Sequence, residues 1–260
     1  VRTPDGFKDA YAQYVEGGWA SMVCDPEYGG QGLPVLLNQC FFEMLNSANQ
    51  AWTMYPGLSH GAYACLHEHG TAEQKATYLP RLVKGEWMGT MLLTEPQAGS
   101  DLSSLTTTAE PKADRYLIKG QKVYITWGDH PMAENLIHLV LARLPGAPAG
   151  TKGISLFVVP KYKLNADGTP GERNDVFPVS VEHKLGIHAS PTCVLAFGDR
   201  GGAEGYLVGK PNEGLACMFT MMNHARLGVG LQGHGVSELA WQASIAYAND
   251  RLQGRSLTGP

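Results

Sequence analysis

One stretch of the sequence combines residue types that could bind an anion beside a reaction centre. Residues 89–101 begin as an apolar run, break at a proline and continue through Ala98, Gly99 and Ser100. A strand followed by Pro and Gly marks a tight loop. Small residues allow close backbone approach, and free amides with a serine hydroxyl suit a pyrophosphate. Thr94, where the apolar run ends, offers a second hydroxyl. On composition alone, a plain hairpin turn explains this stretch equally well.

Two further blocks decide between these interpretations. The first stretch spells Leu-Thr-Glu-Pro-Gln-Ala-Gly-Ser-Asp over residues 93–101. The second block is residues 120–126, and the third consists of Arg226 in a predicted helix followed by residues 250–255. In this order and spacing, the three blocks resemble the FAD-dependent acyl-CoA dehydrogenases. The resemblance covers essentially the whole chain.

The resemblance implies that FAD is bound beside the first stretch. Met91, Leu93 and Thr94 would line the flavin ring. Gly99 and Ser100 would approach the pyrophosphate, in agreement with the chemistry of the loop.

Other positions would complete the implied site. Tyr124 would pack on the flavin, and Thr126 would offer its hydroxyl to the flavin nitrogen that receives hydride. Ser100 would also approach the acyl-CoA substrate, and Asn223 and Arg226 would lie toward CoA. The reduced flavin would pass its electrons to an electron-transfer flavoprotein or a similar acceptor.

Arg251 and Gln253 are expected, by the same resemblance, to reach the FAD of a neighbouring subunit. The protein is therefore expected to be a homodimer or homotetramer. Arginine suits nucleotide phosphates, although each arginine taken alone is explained as well by a solvated helix face.

The catalytic base is expected to lie beyond Pro260. Removal of an α-proton requires a carboxylate beside the substrate. In most of the family this Glu comes late in the C-terminal helices, and in a minority it precedes the arginine that corresponds to Arg226; Ala225 stands there. Glu213 and Glu238 are about 18–20 Å away along a helix. Glu95, in the signature loop, is expected to be structural. No catalytic residue is therefore assigned, and the chain alone is predicted to be inactive.

The sequence departs from the family at three positions. Met91 replaces a residue that is usually aromatic, Tyr124 replaces a common Trp, and His188 replaces the usual Arg. The first two remain large and apolar, so a flavin contact is retained. Residues 182–192 and 222–230 look most like the 3-methylmercaptopropionyl-CoA dehydrogenase branch, which makes that thioester the candidate substrate.

The elements that must position these residues predict an α+β, multidomain chain. Residues 1–87 form part of an N-terminal α-helical domain, residues 88–208 a middle antiparallel β-barrel or sandwich, and residues 209–260 the beginning of a C-terminal helical bundle. Many short runs separated by turn residues favour the barrel or sandwich. The predicted strands are Met88–Thr94, Leu105–Glu110, Tyr116–Lys119, Lys122–Thr126, Leu136–Arg143, Ile154–Val159, Val176–His183, Thr192–Phe197 and Tyr206–Val208.

The helical pattern of the first domain is interrupted at recognisable residues. Helices are predicted over 36–48 and 58–68, with Gly70 as a cap. Thr71 and Gln74 predict a capping box that starts another helix, and Pro80 is expected to kink or restart it. In the last domain, apolar residues at helical spacing predict one buried stripe over 215–222 and a second over 236–247.

Two motifs that suggest other chemistry are discounted. His67 and His69 lie two apart on a helix and face different directions, so no metal site is expected. Gly228, Gly230 and Gly233 match the dinucleotide fingerprint, but a predicted helix precedes them where the fingerprint needs a strand. Close packing of two helices explains these glycines better.

Composition narrows the function classes. The chain has 260 residues, 43% of them hydrophobic, with a net charge of −4 and five scattered cysteines. No basic footprint for nucleic acid is visible, and no apolar run approaches the roughly 18 residues that span a bilayer. Unpaired cysteines are typical of a reducing, cytoplasmic location. The absence of an initiator Met and the abrupt end suggest a piece of a longer protein.

Two alternatives remain open at this point. The alkylation-response flavoproteins share the signature loop and bind DNA, although the net charge weakens this interpretation. A flavin-free structural relative is the other. A flavin spectrum would dismiss the latter, and a salt-dependent DNA titration would test the former.

Overall fold

Helices stand at both ends of the described chain. In the computed structural model, which describes residues 1–254 and 257–258, these are α1 (Phe7–Glu16), α2 (Val35–His69), α3 (Ala72–Val83) and α4 (Gly214–Asp250). None of the helices in these residues is long and apolar enough to cross a membrane.

The strands lie between α3 and α4. They are β1 (Trp87–Leu92), β2 (Thr108–Lys112), β3 (Arg115–Thr126), β4 (Asn135–Arg143), β5 (Ile154–Pro160), β6 (Tyr162–Leu164), β7 (Pro170–Arg173), β8 (Val176–Val181), β9 (Thr192–Phe197) and β10 (Ala203–Val208). The structure joins the two strands predicted on either side of Gly120 into β3, and it adds β6 and β7, which the sequence pattern missed.

The main sheet closes into a barrel. Its order is β1-β4-β5-β10-β3-β9-β8, and β2 pairs with both β3 and β4. The contact of β2 with β4, at Thr108 and Arg143, completes a ring of five strands. Strands β1, β9 and β8 extend the sheet beyond the ring, while β6 and β7 form a separate pair. The middle of the chain is thus the expected β-barrel between helical parts.

Two pairings with β4 differ from the antiparallel expectation: that of β1 and the single contact of β2. Strand β1 runs parallel to β4, with Gly89 opposite Ile137. Parallel neighbours need a long crossover instead of a hairpin, and here β2 and β3 provide it within the same barrel. The crossover contains one short 3-10 helix, Leu102–Ser104, and no α-helix, which explains why no βαβ pattern is visible in the sequence for this pair.

Helix α2 is longer than predicted and is broken at one residue. Asn49 has non-helical backbone angles (φ −161°, ψ 93°), just after the predicted end of the first helix. Its side-chain oxygen accepts a hydrogen bond from the backbone N–H of Trp52 at 3.2 Å. This cap lets the second half begin at once, so the prediction that it begins near residue 58 is wrong. Pro56 lies inside this half.

Helix α3 begins as predicted and does not break. The Thr71–Gln74 capping box is present, with reciprocal hydrogen bonds of 3.1 Å. The helix does not restart at Pro80: it continues to Val83, and the Pro80 carbonyl accepts from the Lys84 N–H at 3.1 Å. The alternative expectation, a kink at Pro80, stays a prediction. A proline removes one donor, and burial of the neighbouring Leu79 holds the helix in place.

Packing of the helices against the barrel buries the core from two sides. In β4, Leu139 and Leu141 face the helices while Val140 and Ala142 fill the barrel, as the two-residue period of a strand requires. Strand β1 approaches α2 so closely that a Cβ on Gly89 would lie 2.0 Å from that of Ala62. Glycine is therefore required where β1 meets the helices.

The two halves of α4 differ. Of the first predicted stripe, Met218 is buried, Leu215 and Met222 are partly buried, and Phe219 is 38% exposed. Met221, which the predicted stripe did not include, is buried in the same core. The second stripe is exposed in this chain, with Val236 at 41% and Leu239 at 50%. Within the described residues, a Cβ at Gly228, Gly230 or Gly233 would meet no atom within 4 Å. Close packing of a second helix at these glycines therefore stays a prediction. It is Gly235 that contacts α2 closely.

Candidate functional site

The loop after β1 is held in a tight turn. Glu95 and Ala98 exchange backbone hydrogen bonds of 2.9 and 3.0 Å around Pro96 and Gln97. Ala98 is fully buried, so the loop is anchored on both sides of the turn.

The carboxylate of Glu95 is the centre of a buried hydrogen-bond cluster. Its Oε1 accepts from Lys122 Nζ at 2.9 Å and from the N–H and hydroxyl of Thr107 at 3.0 and 2.5 Å. Its Oε2 accepts from the N–H and hydroxyl of Thr106 at 2.7 and 2.8 Å, and from Gln97 Nε2 at 2.7 Å. Only 2% of Glu95 is exposed. Charge and hydrogen-bonding capacity are both satisfied, as burial of a carboxylate demands.

This cluster joins the loop to β3. Lys122 Nζ also donates to the carbonyl of Leu93 at 3.0 Å, and the N–H of Val123 donates to the carbonyl of Thr94 at 3.0 Å. Leu93 and Thr94, where the loop starts, are therefore both fixed to the same part of β3.

The charges of the pair are maintained at neutral pH. Burial raises the pKa of Glu95, but the ammonium of Lys122 and the threonine hydrogen bonds outweigh burial and lower that pKa to about 2. Burial lowers the pKa of Lys122 to about 8, against the opposing effect of Glu95. Both groups are ionised at pH 7 as a result.

Strand β3 bulges just beyond Lys122. Lys122 pairs with Leu195 and Ile125 with Cys193, so Val123 and Tyr124 have no partners in the β9 ladder. Tyr124 has a φ of +59° and is 64% exposed. A bulge re-aims a side chain, and here it turns the ring of Tyr124 out of the sheet.

Three hydroxyls around the loop and the bulge are available to a ligand. No hydrogen bond within the described residues uses the side chains of Thr94, Ser100 or Thr126. Gly99 is exposed, and a Cβ there would meet only the Cγ2 of Thr94, at 3.7 Å. The space in front of the loop is open.

A cavity connects this region with the helices. Its volume is about 200 Å³, and it lies among α2, α4, β1 and the end of β3. Met91, Thr126 and Ala225 all line it. The structure therefore brings together three residues of the predicted site or next to it: Met91, expected to line the flavin ring, Thr126, expected to contact it, and Ala225, at the position considered for the base.

The predicted CoA residues lie on α4 outside that lining. Arg226 donates to the Oδ1 of Asn223 at 3.0 Å, and its guanidinium lies 5.1 Å from the ring centre of Phe219. Both polar side chains are exposed. Their roles stay predictions.

Arg251 and Gln253 follow the end of α4 and are also exposed. Arg251 donates to the hydroxyl of Tyr247 at 2.8 Å. Neither residue lines the cavity, which is compatible with the expected role toward another subunit. Arg255, the last residue of the third block, lies outside the described residues.

Two family models match the chain. The N-terminal domain model of the acyl-CoA dehydrogenases matches residues 2–86, and the middle domain model matches residues 90–199. The chain belongs to the acyl-CoA dehydrogenase family. Within the α+β fold described above, the helical part before β1 and the barrel therefore correspond to recognised units of that family.

Similar proteins include enzymes and solved structures. The chain is 48% identical over 260 residues to 3-methylmercaptopropionyl-CoA dehydrogenase of Ruegeria pomeroyi, covering 100% of the chain and 44% of that protein. It is 39% identical over 267 residues to a butyryl-CoA dehydrogenase of Syntrophomonas wolfei, again covering 100% of the chain and 44% of that protein. An acyl-CoA dehydrogenase of Bacillus anthracis complexed with FAD matches with a TM-score of 0.81 and 27% identity over 96% of this chain and 41% of that one. The chain spans less than half of these relatives.

Other features of this acyl-CoA dehydrogenase chain were missed or discounted. The buried partner of Glu95 carried no separate signal, because Lys122 looks like an ordinary polar residue of an alternating strand. The discounted histidines do not form a metal cluster among the described residues: His67 lies 3.3 Å from Asp25, and His69 lies 2.7 Å from the hydroxyl of Thr220. Polar residues spaced along α2, among them Asn38 and Asn46, were the overlooked signal for the cavity.

The Glu95–Lys122 pair predicts an unequal response to single and double substitution. Glu95→Gln leaves the Lys122 ammonium buried without its anion and should lower the free energy of unfolding by about 3–5 kcal/mol. The double variant Glu95→Gln/Lys122→Met removes both charges and should recover most of that loss. Urea unfolding measures both. Glu172→Gln, which removes an exposed partner of Lys163, is the control and should leave the midpoint near that of the wild type.

The same pair predicts an acid dependence. Because the folded pKa of Glu95, about 2, lies below its ordinary value of 4.5, its stabilisation is present above pH 4.5 and is lost as the pH falls toward 2. Glu95→Gln should lack this component. Two results would contradict the role of the ion pair. One is a double variant no more stable than Glu95→Gln, and the other is an equal loss of stability in acid for the wild type and Glu95→Gln.

Proposed function

We propose that the protein carrying this chain oxidises an acyl-CoA thioester between its α and β carbons, with FAD as the hydride acceptor. The observation that carries this proposal is that Met91, Thr126 and Ala225 line one cavity, next to a loop whose hydroxyls make no hydrogen bond within the described residues. The similarity to the Ruegeria pomeroyi enzyme supports 3-methylmercaptopropionyl-CoA as the substrate.

The residues of the loop and bulge fit FAD. Gly99 and Ser100 present small, exposed groups where the pyrophosphate is expected, and free amides there would bind an anion. Leu93 and Thr94 belong to the same rigid segment and would face the ring with Met91. When bound, FAD supplies the hydride acceptor.

Thr126 is proposed to act on that cofactor. It ends β3 opposite Thr192 of β9, so its backbone is fixed by the ladder and its hydroxyl is pre-positioned. A donor held in place before the reaction stabilises the charge that develops during hydride transfer without a cost of reorganisation. Tyr124, turned outward by the bulge, would cover the flavin from the neighbouring side.

Removal of this hydroxyl should affect the chemical step more than substrate binding. In the intact protein, Thr126→Ala should slow flavin reduction by substrate about tenfold or more, with a smaller change in substrate affinity. Thr126→Ser keeps a hydroxyl and is the matched control. Stopped-flow measurement of flavin absorbance gives both quantities. A Thr126→Ala protein that reduces its flavin at the wild-type rate would show that the role is wrong.

The catalytic base is proposed to come from a part of the protein outside these 260 residues. No Asp or Glu lines the cavity among the described residues. Because α4 is one continuous helix, the carboxylates of Glu213 and Glu238 stay about 18–20 Å along its axis from Ala225. Glu95 is committed to its buried cluster.

If the base comes from outside these residues, residues 1–260 and the intact protein should differ in activity. Residues 1–260, supplied with FAD, should not oxidise any member of an acyl-CoA panel when a dye accepts the electrons. The intact protein should oxidise at least one member. Turnover by residues 1–260 would show that the base is present within them.

The exposed residues of α4 and those that follow it support proposals for CoA binding and for contact with a neighbouring subunit. Asn223 and Arg226 would contact CoA, and an electron-transfer flavoprotein or similar acceptor would reoxidise the cofactor. Arg251 and Gln253 lie away from the cavity of their own chain and would serve the FAD of a neighbouring subunit.

The assembly is expected to be a homodimer or homotetramer. Light scattering of the intact, FAD-loaded protein at micromolar concentration measures this directly. Arg251→Ala should lower FAD content, since it removes a cation from the phosphates of a neighbour's cofactor, whereas Arg200→Ala on the barrel surface should not. A monomer that retains FAD would contradict this part of the proposal.

A further inference from the structure

The first half of helix α2, residues 35–48, lies between two spaces. On one side it lines the cavity of the candidate site with residues that include Asn38 and Phe42. On the other side, Phe41 and Leu45 border an open groove opposite α1. A helix with space on both sides has room to change position. How firmly the rest of the molecule holds it therefore decides whether it is a fixed wall.

The two halves of α2 are held unequally. Only three residues of the first half are buried, whereas ten are buried in the second half. Phe41 and Leu45 are partly buried against the aromatic core beside α1. The other large apolar side chains of the first half are all exposed, and they are Val35, Leu36, Leu37 and Met44. A segment with few buried apolar contacts opens locally at a low free energy.

Two of the three buried side chains are a cost to the observed position. Asn38 and Asn46 are 7% and 3% exposed, and the Oδ1 atom of each has no hydrogen-bond partner within the described chain. A buried polar atom without a partner costs free energy that contact with water would recover. Movement of the first half away from α4 would expose both amides to water, which lowers the free energy of opening.

The contact of the first half with α4 is polar and centres on Gly235. The Ser47 hydroxyl lies 2.9 Å from the carbonyl oxygen of Gly235 and 3.1 Å from that of Glu43 in its own helix. Release of α4 therefore leaves this hydroxyl with an acceptor. His234 lies 3.6 Å from the Glu43 carboxylate, and both side chains are more than a third exposed. Water can replace polar contacts of this kind at little cost.

Two fixed points mark the ends of the segment that can move. Before it, the N–H of Leu33 donates to the carbonyl of Met22 at 2.9 Å. After it, Asn49 has non-helical backbone angles, and its side chain caps the second half through the N–H of Trp52. Because the second half has a cap of its own, rotation at Asn49 does not unwind it. Hinges are usually a few residues at the ends of such elements.

We propose that residues 34–48 form a gate, which turns about Leu33 and Asn49 toward the groove and so admits an acyl tail to the cavity. The gate closes through Ser47 and Gly235. This inference rests on the proposed function and assigns a conformational step to the same site. A lid that closes over a bound substrate excludes water from the reaction, and its motion limits the rate of many enzymes.

A disulfide between the gate and α4 tests this step. A Cβ at Gly235 would lie 3.2 Å from the Oγ of Ser47, which suits the distance of about 3.8 Å between Cβ atoms in a disulfide. Ser47→Cys/Gly235→Cys is made in the intact, FAD-loaded protein, with Cys40→Ser to remove the exposed native thiol. The measured quantity is the second-order rate constant of flavin reduction at low concentration of an acyl-CoA that the wild type oxidises.

The disulfide restrains the open state, so its formation should lower this rate constant at least about tenfold. A thiol reductant should restore the rate constant. The single variants Ser47→Cys and Gly235→Cys carry the same side chains without the disulfide, and as matched controls neither should respond to oxidation. An unchanged rate constant, with the disulfide verified by mass spectrometry, would overturn the gate and leave the proposed function intact.

Amide hydrogen exchange of the unmodified intact protein needs neither the variant nor turnover. Residues 35–48 should exchange faster than residues 51–66, although both segments are helical. A bound enoyl-CoA product should slow exchange in the first half more than in the second. Equal protection of the two halves would overturn the gate, whereas failure of the wild type to oxidise any acyl-CoA would overturn both the proposed function and the role of the gate.

Discussion

The buried ion pair between Glu95 and Lys122 is the interaction on which the rest of the site depends. It joins the loop after β1, the chain that enters β2 and the bulge of β3, which are distant in sequence. A half-broken buried pair is costly, so the pair favours one arrangement of the loop. The exposed face of that arrangement presents Gly99, Ser100 and Thr94, while the pair itself is hidden behind it. The signature sequence thus combines groups for a ligand with the carboxylate that fixes them.

The second constraint is the way the helices meet the barrel. Gly89 lets β1 contact α2 closely, and α2 changes direction at Asn49, so that residues of both its halves line the cavity. Pairing with β9 holds the end of β3 at the edge of this space. Thr126 and Met91 therefore reach the same cavity as Ala225, although they come from three separate elements. The first half of α2 lines one side of the cavity with Asn38, Phe42 and Asn46.

Much of the fold and the position of the loop could be predicted from the sequence, because the sequence patterns that specify them are local. The capping box at Thr71, the short strands and the signature loop each depend on neighbouring residues. The errors occurred where tertiary packing decides: Pro80 is accommodated within a packed helix, and β1 pairs in parallel through an unusual crossover. The cavity was invisible for the same reason, since Asn38 and Asn46 face it only after α2 has changed direction. The roles assigned by resemblance to Tyr124, Arg226 and Arg251 stay predictions.

The most direct test is a crystal structure of the intact protein with FAD. The account predicts that the Glu95–Lys122 pair is retained, that the loop and bulge keep their backbone within about 1 Å of the geometry described here, and that the pyrophosphate contacts the amides near Gly99 and Ser100, with the flavin ring beside Thr126. An FAD bound elsewhere, or a loop that rearranges and separates Glu95 from Lys122, would contradict it.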